Sequence, residues 1–437
     1  MRKDLFFIFI ITFFLSFNAN GLKNYDEQSL DFEWEQVVDF GFGDKDNLHA
    51  WSIKEYKDFL YVGTRNVVDG CKIYRSETGD LGTWFQVNLD GFSNESKSEG
   101  IRNMIVYKDL LWVITNSWEH GTQVWVTEGV INKTTGLLNW RKANLDGFGK
   151  GSEILSSRGL GVFKDKLYVG SQSIDGHPLI FRYEGPSDFE DICKDDWILL
   201  KDWYEDPDYN PDLFLVGDIV NFTCKDGESY LYASLIAGVT PIFRNLKTNF
   251  TINNMIETFR LLFFSKGEIW RYNGTCWEKI DSKIFDKTSL MVCCLHVFNE
   301  TLYAGTANWL GGEIWKTDDG NSFTRISKRG FYSPFNFWVW KIHDYKGRLI
   351  AGTLNPVFGC DVWASVDNSP SSTKDFIRIS KKGMDGKNIL NPFTRPQDGA
   401  RCFETFKGKM YLGTTNWVDL NSFFKGTGCE VWRMEKI

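Results

Sequence analysis

The chain has 437 residues, with 57 acidic against 50 basic side chains and a formal net charge of −7. That mild acidic excess, without a basic stripe to neutralise phosphates, argues against nucleic acid as a partner. Aromatics at 16% and 40 glycines suit many short strands joined by tight turns. A chain this long ordinarily divides into two or three domains, unless it is built by repetition.

The first 21 residues read as a signal peptide. Arg2 and Lys3 form a charged start, residues 5–17 are apolar but short for a membrane span, and Asn18-Ala19-Asn20-Gly21 offers small residues for cleavage. An uncleaved anchor is the alternative reading of the same stretch. No later segment is long and apolar enough to span a bilayer as a helix; residues 255–264 carry Glu257 and Arg260. The mature chain, 22–437, is expected to be one secreted or cell-surface domain. Asn-x-Ser/Thr sequons at Asn94, Asn132, Asn221, Asn249, Asn273 and Asn299 mark candidate glycosylation sites in such a compartment.

After the leader, one pattern recurs about every fifty residues. Its core is Leu-Tyr-Val-Gly-Thr at 60–64, with copies at 111–115, 167–171, 231–234, 302–306, 349–353 and 410–414. Ahead of most cores lies an apolar run ending in a short polar turn, such as Val106-Tyr107-Lys108-Asp109, which reads as a hairpin. Behind it follow a variable loop, a third strand of the Glu-Val-Trp-Arg kind and a fourth centred on Trp84, Trp140, Trp197, Trp277, Phe323 or Phe376. Seven units of four strands predict an all-β fold, a seven-bladed β-propeller. The last unit stops at Gly428-Cys429-Glu430-Val431-Trp432-Arg433 without its fourth strand. Residues 33–42, Glu-Trp-Glu-Gln-Val-Val-Asp-Phe-Gly-Phe, match residues 83–92 and are expected to supply that strand and close the ring.

This series resembles the kelch repeat, with Gly-Thr where kelch has Gly-Gly. Residues 316–323, Lys-Thr-Asp-Asp-Gly-Asn-Ser-Phe, resemble an Asp-box turn of the sort found in sialidases and many other propellers. Both resemblances imply a kind of fold and no activity.

The nine cysteines would meet an oxidising compartment after export. Topology makes Cys193 and Cys224 a candidate bridge between neighbouring blades. Cys71, Cys360 and Cys429 hold equivalent places, as a second pairing set or as small buried residues. No Cys-x-x-Cys or histidine spacing indicates a metal, and no cofactor motif is present. The fourth unit carries an insertion at about 235–267, long enough to be functional or disordered.

Connectivity gathers the variable loops on one face. There Asn66, Asn116, Asn308, Asn355 and Asn416 follow the strand cores, with Trp118, Trp309 and Trp417 close behind. At the start of the next unit stand Glu99 with Arg102, Glu153 with Arg158, and Asp398 with Arg401. These amides, rings and charges suit a glycan or protein ligand. The amides equally suit turn formation, and the tryptophans suit packing between blades. Three arginines converging on the axis would grip an anion such as a carboxylate. The leading expectation is therefore a binding module without catalysis. The alternatives are a glycan-acting enzyme of glycosidase, sialidase-like or lyase type, and a purely structural surface protein. For an enzyme, Glu99, Glu153, Asp398, Asp44 and Asp46 offer carboxylates, but no spacing selects a pair.

Overall fold

The computed structural model describes residues 33–238, 260–261, 265–280, 285, 289–380, 382–386, 397–416 and 428–436. The expected leader, the sequon at Asn249, Trp417 and most of the insertion lie outside them. The described chain is all-β, with 28 strands and short 3-10 turns, and the strands pair antiparallel. Among the described residues, no helix is long and apolar enough to cross a membrane.

Strands pair in sequential groups of four. In the first, β2 (His49–Tyr56) pairs with β3 (Phe59–Arg65), β3 with β4 (Ile73–Ser76), and β4 with β5 (Phe85–Gln86). The same order restarts at β6 (Gly100–Tyr107), β10 (Ile154–Phe163), β14 (Leu213–Thr223), β18 (Ser289–Phe298), β22 (Trp338–Tyr345) and β26 (Gly399–Phe406). The hairpin between first and second strands explains the recurrent Lys-Asp and Lys-Gly pairs. Lys57 and Asp58, Lys108 and Asp109, Lys164 and Asp165, Lys346 and Gly347, and Lys407 and Gly408 all have positive φ. Two consecutive positive φ values make the turn whose twist matches that of the flanking strands.

Successive groups are joined by an aromatic device. Between groups the chain passes through a glycine and a phenylalanine, both at positive φ, at Gly41-Phe42, Gly91-Phe92, Gly147-Phe148 and Gly330-Phe331. Each phenylalanine stacks on a third-strand ring of the following group: Phe42 on Tyr74 at 4.1 Å, Phe92 on Trp125 at 4.7 Å, Phe148 on Phe181 at 4.0 Å and Phe331 on Trp363 at 4.7 Å. Trp140, just before the fourth strand of its group, and Trp197, at the start of its own, donate from Nε1 to the carbonyls of Val87 and Ala143 in the preceding group.

The seventh group contains β26, β27 (Lys409–Thr415) and β28 (Val431–Met434). β28 pairs on its free side with β1 (Trp34–Val38), in the register Trp34↔Met434, Glu35↔Arg433 and Gln36↔Trp432. Trp34 donates to the carbonyl of Ile379 at 2.6 Å, as Trp140 and Trp197 do to their own preceding groups. Arg433 forms ion pairs with Glu35 and Asp80, and Val37 and Val38 are buried. At its other edge the group meets the first, through the bridge His49↔Thr415 and the packing of β26 beside β2.

The expected bridge between Cys193 and Cys224 is not formed, and all nine cysteines are free. Cys224 turns toward the fifth group: its Sγ lies 3.4 Å from the Tyr232 hydroxyl of its own group and against Gly320 of the fifth. Cys193 is exposed beside Asp191 and Asp196 on the third group. Asn94, Asn132, Asn221, Asn273 and Asn299 are exposed. Of these, Asn221 and Asn299 border first-to-second strand hairpins, at the end of the sheet opposite the loops that follow β3 and its counterparts.

Removing residues 22–40 tests how far the molecule depends on β1. Burial of Val37, Val38 and part of Trp34 is worth about 5 kcal/mol, so Tm is expected to fall by roughly 10 °C. The exposed edge of β28 is also expected to promote association. An unchanged Tm by calorimetry would show that β1 is dispensable.

An arginine-lined cavity as candidate functional site

Each of the seven first strands breaks register with its second strand at one matching point. The residues passed over are Trp51, Arg102, Arg158, Gly217, Cys293, Trp340 and Arg401. A bulge sets two residues against one and re-aims a side chain out of the regular alternation. All seven bulged residues line one cavity, with Asn103, Asp218, Lys341 and others beside them. Counted as space open to the centres of water molecules, it measures about 50 Å³. A single water needs about 10–15 Å³ on that measure, so the space suits a few waters or one small anion.

Two of the arginines are held the same way. The Arg102 guanidinium lies over the Trp51 ring at 4.4 Å, and that of Arg401 over Trp340 at 5.1 Å. Both rings cover a glycine placed two residues before the arginine. A Cβ on Gly100 would fall 2.3 Å from the Trp51 ring, and one on Gly399 would fall 2.5 Å from Trp340. Trp340 is backed in turn by Trp338 at 5.1 Å, in an apolar cluster that includes Trp309 and Phe337. Cation–π stacking of this kind fixes the plane of the guanidinium while leaving its N–H groups for a ligand. Arg158 donates to the Cys293 carbonyl at 2.8 Å, and its own carbonyl accepts from Asn103 at 3.1 Å.

The cavity is strongly cationic. Arg102, Arg158, Arg401 and Lys341 face a single carboxylate, Asp218. Asp218 is already engaged, accepting from the backbone N–H of Ile219 at 3.0 Å and of Leu295 at 3.2 Å and pairing with Lys341 at 3.4 Å. Among the described residues, Arg102 and Arg401 have no ion-pair partner, and the buried Nε of each has no hydrogen-bond acceptor. Burial, followed by the charges of Arg158, Arg401 and Arg65, holds Arg102 well below the usual guanidinium range. Burial and then Arg158 push Arg401 down to about 9. For Arg401 the penalty on the fold is complete below about pH 9, hence at neutral pH, and is relieved only as pH rises through that folded value.

The acids that accompany these arginines in the sequence do not pair with them. Glu99 accepts from the Trp118 N–H at 3.3 Å, with its carboxyl raised chiefly by burial. Glu153 is exposed, and Asp398 is buried. Asp44 pairs with Lys72 at 2.7 Å. The asparagines are buried and hold loops. The Asn66 side-chain carbonyl accepts from the N–H groups of Val68 and Asp69, that of Asn355 from Val357 and Phe358, and that of Asn308 from Leu310. The Asn416 amide donates to Gly428, and the Asn116 backbone bridges to Ser156. Trp309 packs on Phe337 at 5.6 Å. The cavity thus unites the three arginines and leaves the amides and Trp309 outside its lining.

Sequence reasoning missed Trp51, Trp340, Lys341 and Asp218. A legible trace existed: Gly100-Ile101-Arg102 and Gly399-Ala400-Arg401 share a Gly-x-Arg start, and the preceding unit carries a Trp at the equivalent place.

No family model matches the chain, and no curated protein does. Among solved structures it is similar to the crystal structure of polysaccharide lyase Uly1, with 8% identity over 96% of this chain and 95% of that one and a TM-score of 0.46. A likeness that distant carries no argument about activity.

Buried like charges without counter-ions are expected to weaken the fold, as residues kept for a ligand do. Arg102→Met is therefore expected to raise Tm by a few degrees, since such replacements gain on the order of 1–4 kcal/mol. A fall in Tm would assign Arg102 a structural role.

Proposed function

We propose that this chain is a seven-bladed β-propeller that binds an oxyanion, a carboxylate or sulfate group, at the head of its axis. The four-strand groups are its blades, and β1 completes the seventh. The bridge from β27 to β2, the pairing of β1 with β28 and the single cavity shared by all seven bulges support that arrangement. One observation carries the binding reading: two guanidiniums, that of the buried Arg401 and that of the half-buried Arg102, stacked on tryptophans and lacking counter-ions among the described residues, face a small space beside a third. Arginine forks match the planar geometry of carboxylates and related oxyanions, and in a low-dielectric site their attraction is strong.

The protein acts as a binding module, secreted or displayed at the cell surface. A glycan-acting enzyme would need a general acid or base at the reacting atoms. The cavity lining contains neither histidine nor tyrosine, and its one carboxylate is tied to Lys341 and two backbone N–H groups.

Sodium sulfate and sodium acetate, each compared with chloride at equal ionic strength, test the reading. A ligand at 100 times its Kd stabilises by about 2.7 kcal/mol. The parent is expected to gain several degrees in Tm from one or both salts, and the triple variant Arg102→Met, Arg158→Met, Arg401→Met to respond to neither beyond chloride. Equal responses in parent and variant would remove the oxyanion site.

A further inference from the structure

We propose that the oxyanion is the carboxylate of a small 2-hydroxy acid, whose hydroxyl donates to Asp218. This rests on the oxyanion reading above and names its ligand.

Exposure along the first strands gives the direction of entry. On the loop side, the two residues before every bulged one are buried. Phe214, Leu215, Met291 and Trp338 close that end in one apolar cluster with Trp340. On the hairpin side, three positions beyond the bulges, Lys54, Ile105, Val220, His296, His343 and Glu404 are all partly exposed. The cavity lining extends the same way, through Asp218 and Lys341 to Ile53 and Phe403. An anion therefore reaches the arginines from the hairpin end, and the atoms attached to it trail outward past Asp218 and Lys341, each one residue beyond its bulge.

Asp218 is placed to read those trailing atoms. It is the one carboxylate of the lining and is buried. Its Oδ1 accepts from the N–H of Ile219, and its Oδ2 accepts from the N–H of Leu295 and faces the Lys341 ammonium. A carboxylate offers about four acceptor sites, so one remains on Oδ1 for a donor in the cavity. The Arg158 guanidinium is anchored on the Cys293 carbonyl and Asp218 on the Leu295 N–H, two residues apart on β18. At about 3.3 Å per residue the two anchors lie roughly 7 Å apart, too far for an ion pair and within the span of one small ligand touching both groups. The charge of Asp218 also acts on Arg401.

Charge selects the kind of donor. Three arginines and a lysine already outnumber the single acid, so an ammonium on the ligand would add repulsion where a hydroxyl donates without charge. In a 2-hydroxy acid the hydroxyl sits on the carbon next to the carboxylate. The carboxylate oxygens meet the guanidinium forks, and the donor lies one short step outward, at the level of Asp218. Sulfate has acceptor oxygens only and satisfies the arginines alone. Nearer the hairpins, the carboxylates of Asp344 and Glu404 are engaged by His296 and Lys54, each at 2.9 Å. Asp218 is thus the acceptor left for the hydroxyl.

The experiment is titration calorimetry on the full mature chain at neutral pH and equal ionic strength, with acetate, methoxyacetate, glycolate, glycine and phosphate. Glycolate carries the hydroxyl, methoxyacetate masks it with a methyl group, and glycine replaces it with an ammonium. Glycolate is expected to bind roughly tenfold more tightly than any of the others, the factor due to one hydrogen bond to a charged group. The triple Met variant should bind none of them. In Asp218→Asn, glycolate should fall to within roughly twofold of acetate while acetate binding persists. The ligand series on the parent decides the matter even where that variant does not fold. Glycolate binding no tighter than methoxyacetate overturns the proposal, as does an undiminished glycolate preference in Asp218→Asn. Tighter binding of glycine or of phosphate also overturns it, by placing the donor on an ammonium or on the oxyanion itself. Failure of the parent to bind acetate, glycolate or sulfate is a different failure, that of the oxyanion reading.

Discussion

Each first strand holds, at a matching point, a residue that its partner cannot pair, and the placement of that residue organises the candidate site. In a regular strand the side chains alternate between faces, and an arginine in so apolar a stretch would have to enter the packing between neighbouring groups. The bulge removes one position from the ladder and turns it toward the space shared by all seven first strands. Because the register break falls at the same place in every group, seven side chains from distant parts of the sequence meet there. Arg102 and Arg401 are separated by most of the chain, and Arg158 acts electrostatically on both.

Such a gathering of cations opposes folding, and the surrounding architecture offsets it. The phenylalanine that follows the linking glycine stacks on the next group's third strand, and tryptophans at or just before the fourth strands bond back to the preceding group. The β1–β28 pairing adds the same contacts at the chain's two ends. At the cavity, Trp51 and Trp340 take part of the burden by giving two guanidiniums a polarisable face in place of water. An anion would relieve the rest. On this account the arginines are kept for a ligand at some expense in stability.

Much of the fold was legible because strand patterns and turns are local. Leu-Tyr-Val-Gly-Thr and the Lys-Asp hairpins mark strands and turns directly, and Trp34 announced itself by the match of residues 33–42 to 83–92. Arg102, Arg158 and Arg401 stood out as charges at the head of apolar strands. What stayed hidden depends on register. A bulge adds one residue without disturbing composition, so Trp51 and Trp340 read as ordinary strand residues and not as supports for arginines. The asparagines illustrate the converse: a side chain that repeats in five of the seven loops invites a binding role, yet Asn66 and Asn355 use theirs to close the loops. Cys224 shows that sharing a rim does not decide which way a side chain points.

Anomalous diffraction from crystals grown in sodium selenate would test the central claim most directly. Selenate has the charge and shape of sulfate, and its selenium can be located without reference to the protein phases. The account predicts one strong peak within hydrogen-bonding distance of the guanidiniums of Arg102, Arg158 and Arg401, with the Trp51 and Trp340 rings still stacked. A cavity holding only water at saturating selenate, or arginines turned away to pair with protein carboxylates, would contradict it.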